Sequence, residues 1–166
     1  MILAGALMFA LVVIPVAIYF VVSTDEQALQ LPSLLLLVAL PVAGVLVHVA
    51  VEAVGYRTQP IAPGTPEDEA RSQSVARWQA QMVQRSAFCE VVAIVSVALT
   101  FVVSPGGYVL TLVGCATSLV LMAVHVFPWS RPVNRFTDSL EKDGARSGLP
   151  EAFGLPPRSG GAIQEL

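Results

Sequence analysis

Four ionisable side chains interrupt the long apolar stretches of this chain: His48, Glu52, Glu90 and His125. An ionisable group in a segment apolar enough to enter a bilayer is costly to place there, so each marks a candidate site. His48 and Glu52 are one helical turn apart and share a face of any helix that carries them. Several kinds of chemistry are open to such a set. Hydrogen bonds between carboxylate and imidazole would fix the register of neighbouring helices. A carboxylate in a low-dielectric site holds its proton more tightly, and with histidine as relay the group would handle protons near neutrality. Two imidazoles and two carboxylates also suit zinc or a related ion, the identity of any metal being open. Bis-histidine haem ligation by His48 and His125 fits less well, because His48 falls about one turn deeper than His125 at roughly 1.5 Å per residue. No cofactor is expected.

The elements that must position these residues follow from composition. Of 166 residues, 55% are hydrophobic and only 13% charged, against roughly 25% charged in an ordinary soluble domain. The charges crowd into short stretches. Between them lie apolar runs at 2–22, 33–54, 87–103 and 108–127, close to the roughly 20 residues a helix needs to cross the bilayer core. The first run has no basic segment before it and no small-x-small cleavage site after it, so it is expected to remain as a transmembrane helix, bent at Pro15. The predicted fold is all-α, a polytopic membrane bundle of four transmembrane helices in two hairpins. It occupies residues 1–128, with a loop at 55–86. The net charge of -3 argues against a nucleic-acid partner, which would need a basic face.

Orientation follows from Lys and Arg, because basic loops stay in the cytoplasm. The 23–32 connection and the turn at 104–107 have none. The middle loop holds Arg57, Arg71, Arg77 and Arg85; the tail holds Arg131, Arg135, Lys142, Arg146 and Arg158. All nine basic residues therefore fall on one side, which with four spans is also the side of the N-terminus. The expected location is a bacterial cytoplasmic (inner) membrane, with both termini cytoplasmic. On this topology His48, Glu52, Glu90 and His125 all lie in the cytoplasmic half of the bilayer. Helical stripes suggest that they face inward: Gly44, His48 and Glu52 on the second span; Glu90, Ala93, Val97, Thr100 and Ser104 on the third; Thr111, Cys115, Ser118, Met122 and His125 on the fourth. Small and hydroxyl side chains are what membrane helices turn toward one another. Cys89 and Cys115 fall at different depths and are expected as free thiols.

In the middle loop, Thr65 is placed to cap a helix beginning at Pro66, and Glu67, Asp68 and Glu69 complement its positive end. Val75, Trp78, Met82 and Cys89 recur at helical spacing. Either one helix runs from about Pro66 to Val103, or 66–86 is a solvated amphipathic stretch lying on the membrane or on the tail. Residues 129–146 are expected at the interface, with Trp129 at its edge and Val133, Phe136 and Leu140 along one face of a short surface helix ending at Gly144. From Ser147 to 166, Pro and Gly predict disorder.

The run AFCEVVAIVSVALTFVV at 87–103 resembles the carboxylate-bearing helix of rotary ATP synthase c subunits, and of small uncharacterised bacterial four-helix membrane proteins similar to them. The resemblance implies that Glu90 takes the place of the proton-carrying carboxylate. The glycine-rich first helix of that family is missing, and Arg85 lies just over one turn before Glu90. No nucleophile motif, phosphate-cradling glycine loop or thiol pair is present, so an enzyme is not expected. The reading is a non-catalytic accessory or scaffold protein, in contact with lipid and associating with itself or with a larger membrane complex. The alternative is a proton- or ion-handling protein that uses the Glu/His cluster. The small-sided stripe Ala6, Ala10, Val13 and Ala17 on the first helix, and the Val75–Trp78–Met82 face, are the surfaces such association would use.

Overall fold

The fold is described by a computed structural model covering residues 2–157. Every element among the described residues is a helix: α1 (Ile2–Val22), α2 (Leu34–Val54), α3 (Glu67–Thr100), α4 (Gly107–His125), α5 (Ser130–Leu140) and α6 (Leu149–Ala152). The first four are long and apolar enough to cross a membrane. Their limits fall within two residues of the expected runs, apart from α3, which also carries the polar segment before its span as one continuous 34-residue helix. Glu67, Asp68 and Glu69 occupy its first turn, where carboxylates oppose the exposed backbone N–H groups. Thr65 does something other than the capping expected of it: its hydroxyl donates to the Ala62 carbonyl at 2.7 Å and closes the turn before the helix.

The described residues divide into two compact units, 2–55 with 84–127 and 56–83 with 128–157. In the first, α4 is the common partner, packing on both α1 and α2. It also meets α3 in antiparallel sense: the Ser118 hydroxyl accepts from Ala93 N at 3.0 Å, Gly114 faces Ser96, and Thr100 bonds to Thr111. A Cβ on Gly114 would collide with the Ser96 side chain, and one on Gly44 would collide with Thr117. Glycine at these points lets helices approach closely, which membrane helices need because apolar surface alone gives them no reason to associate. At the far end, Gln27 O and Ala28 O accept from Gly106 N (2.8 Å) and Tyr108 N (3.1 Å), joining the α1–α2 and α3–α4 connections. Gly106 has φ +92° and lies against the Pro32 backbone, so that turn needs glycine twice over.

The second unit has its own core. Trp78 is buried, its ring packed edge-on against Phe136 (centroids 5.5 Å apart) and tilted against Phe153 (5.3 Å). Val133, Phe136 and Leu140 form the expected apolar face of α5, but they are fully buried within the fold instead of lying at a surface. Ile61 N donates to Leu140 O at 2.9 Å, and Thr58 and Ser139 exchange two further bonds. The disorder expected from Ser147 is corrected over the described part of that segment. Glu141 Oε1 accepts from Ser147 N (2.8 Å) and Ser147 Oγ (2.7 Å), and Leu149 and Pro150 of α6 are buried. A Pro/Gly-rich composition lowers the tendency to order, yet a few anchoring contacts outweigh it here. The remainder of the expected disordered tail, 158–166, lies outside the described residues.

Candidate functional site

Helices α2 and α4 run parallel, with Gly44 against Thr117 and His48 against His125. The close contact at Gly44 sets the interhelical distance, and one turn further on two imidazoles meet. His48 Nδ1 lies 2.8 Å from His125 Nε2. On the other side of the His125 ring, Nδ1 lies 3.8 Å from Glu52 Oε1. One donor atom from each of these three residues lies within 4.8 Å of the others, making a group able to hold a metal ion. His125 is wholly buried, His48 half-buried, and the Glu52 side chain 20% exposed. The group is therefore closed at its centre and open at its carboxylate end.

The tautomers are linked. When the carboxylate is ionised and His125 carries its proton on Nδ1, facing Glu52, Nε2 is left as an acceptor and His48 Nδ1–H must be the donor. His48 Nε2 is then unprotonated. A proton arriving there would displace the Nδ1 proton toward His125 Nε2 and the His125 Nδ1 proton toward Glu52. At 3.8 Å the last gap exceeds a hydrogen bond, so that transfer needs a small side-chain rotation or a bridging water. The helix ends favour positive charge here. His125 is the last residue of α4, and Glu52 lies in the last turn of α2, which has no basic residue of its own and has Arg85 of α3 against Gly55 just beyond it. Unsatisfied carbonyls give such ends a partial negative charge that attracts cations.

Of the four residues singled out from the sequence, three are thus brought together. The fourth, Glu90, is not part of the group. It is half-buried and lines an apolar cavity of about 580 Å³ between α3 and the Leu7–Ile18 face of α1. The α4 stripe is buried along its whole length, from Thr111 to His125. Cys89 and Cys115 are buried free thiols, as expected. Sequence reasoning missed Arg85, treating it only as one of the basic residues beside the third span. Its side chain is fully buried, with its Cγ against Gly55 just beyond the end of α2. The sequence signal was its position, immediately before an apolar run where a solvated arginine has little room.

No family model, curated protein or solved structure matches this chain. What it does must be argued from its own residues.

Proposed function

We propose that the chain is an integral membrane protein crossing the bilayer four times as two hairpins, with both termini and the 56–83 segment in the cytoplasm, and that it handles protons or cations through His48, His125 and Glu52. The topology is supported by four apolar helices of spanning length and by the placement of all nine basic residues outside the 23–32 and 104–107 connections. The cation-handling role rests on one observation: two imidazoles in direct contact and a carboxylate on the second ring, at the C-terminal ends of two parallel helices. A register-fixing clamp would be served by one hydrogen bond. The third member, partly open to the surroundings, is what a transfer site needs. The test is reconstitution of the full chain in liposomes holding a pH-sensitive dye. Dissipation of an imposed pH gradient should depend on His48 and Glu52. Equal rates for the protein, His48→Ala, Glu52→Gln and empty liposomes would overturn the role.

A second reading, an accessory protein of a bacterial cytoplasmic membrane that works by association, is favoured by α1. Within its small-sided stripe, Ala6 and Val13 are exposed and lie outside the cavity that Ala10 and Ala17 line with α3, and Gly5 has open space around it. Small residues turned outward allow another helix to approach closely. The Val75–Trp78–Met82 face no longer supports this reading, because Trp78 and Met82 are buried in the chain's own fold. Native mass spectrometry from nanodiscs decides the self-association case. A dimer lost on Ala6→Leu supports it, and a monomer alone counts against it.

A further inference from the structure

We propose that His48, Glu52 and His125 bind a divalent transition-metal cation of the zinc type. The proposal rests on the cation-handling reading above and names the cation. Three observations carry it. The first is the donor set: two imidazole nitrogens and one carboxylate oxygen, with no thiolate and no array of hard oxygens. Soft ligands alone would favour monovalent copper and oxygen ligands alone magnesium or calcium, whereas two histidines and a carboxylate suit zinc and its neighbours, leaving at least one position open.

The second is geometry. One donor from each residue falls within 4.8 Å of the other two. A tetrahedral ion with bonds of about 2.0–2.2 Å holds its ligands roughly 3.3–3.5 Å apart. The 2.8 Å between His48 Nδ1 and His125 Nε2 is shorter than that, and the rings part by about half an ångström to admit the ion. For the ion to take the place of that hydrogen bond, the His48 proton moves from Nδ1 to Nε2, so uptake by the neutral pair releases no net proton, and Glu52, which faces His125 Nδ1, reaches the ion by side-chain rotation. His48 and Glu52 come from one face of α2 at a four-residue spacing, and His125 from α4. The ion would therefore tie the two helices together.

The third is electrostatic. Glu52 sits in the last turn of α2, at the negative end of the helix, and the group is completed at the last residue of α4, another negative end. The partial negative charge of two helix C-termini draws a cation toward the group, with the buried Arg85 beside Gly55 the positive charge already at the end of α2.

The test uses the full chain, free of any affinity tag, purified in mild detergent and stripped with chelator. Zinc is titrated calorimetrically, and cobalt replaces it as a spectroscopic probe of nitrogen and oxygen ligation. Because Cys89 and Cys115 are other potential ligands, the experiment is repeated with Cys89→Ala and Cys115→Ala. We expect about one ion per chain, retained in the cysteine-free protein, abolished by His48→Ala and weakened by at least about 10–100-fold by Glu52→Gln. His48 is chosen because it is only half-buried, and helical circular dichroism checks that each variant folds. His48→Gln serves if His48→Ala does not. Absence of binding to the folded protein, or binding that survives loss of His48, would overturn the proposal. The gradient assay separates the two readings. Metal binding without gradient dissipation sinks the proton-handling role and leaves the metal site. Dissipation that needs His48 and Glu52 without metal binding does the reverse.

Discussion

His48 Nδ1 and His125 Nε2 are 2.8 Å apart, joining two parallel helices 77 residues apart in the chain. Each ring supplies what the other lacks, so removing either leaves a nitrogen in a largely dry site without its partner. We expect His48→Ala and His125→Ala each to lower stability by about 1–3 kcal/mol, the cost of stranding a buried polar group. The double variant should cost less than their sum. Thermal unfolding in detergent gives all three values. Strict additivity would mean that the contact contributes nothing.

Glu90 lines a different part of the first unit from the histidine pair. Glu90→Gln should therefore leave zinc affinity and the stability coupling between His48 and His125 unchanged, while Glu52→Gln alters the affinity. If Glu90→Gln weakened zinc binding as much as Glu52→Gln, Glu90 would belong to the same site.

Gly114 lies against Ser96 with no room for a side chain. Gly114→Val should force α3 and α4 apart and cost about 1–3 kcal/mol, the usual penalty for overpacking. Ser96→Gly in the same chain should recover part of the loss. Gly5→Val, at a position with open space around it, is the control and should change unfolding little.

Trp78 is the largest side chain buried in the second unit and touches Phe136 and Phe153. Trp78→Ala should cost about 3–5 kcal/mol of that unit's stability and make 56–83 and 130–157 sensitive to protease. Limited proteolysis with mass-spectrometric mapping reads this directly. A cleavage pattern like that of the parent chain would show that the aromatic cluster holds nothing together.

The proposed orientation can be tested by cysteine labelling in a background lacking Cys89 and Cys115. Cysteine at Glu26 or Ser104, both exposed, should react with a membrane-impermeant reagent in intact cells. Cysteine at Asp68 or Lys142, also exposed, should react only after permeabilisation. Outside labelling of Asp68→Cys would reverse the topology.

Four helices of spanning length, two free thiols and the ionisable candidates were legible in the residues alone. Those features are local: an apolar run long enough to span must satisfy its own backbone, and in hydrocarbon a helix does so within one segment. The inward face of α4 was legible for the same reason, since small and hydroxyl side chains repeated at helical spacing along it. Which candidates meet was not. Each residue advances about 100° around a helix, so a modest rotation of α3 decides whether Glu90 joins the histidines or faces α1. Close contacts between distant residues, Gly44 with Thr117 and Gly114 with Ser96, set those rotations. The fate of the tail was equally non-local. Pro and Gly after Ser147 argued for disorder, but Glu141 holds Ser147, and Phe153 closes over Trp78. Composition governs what a segment tends to do by itself, and only packing decides whether a distant partner overrides that tendency.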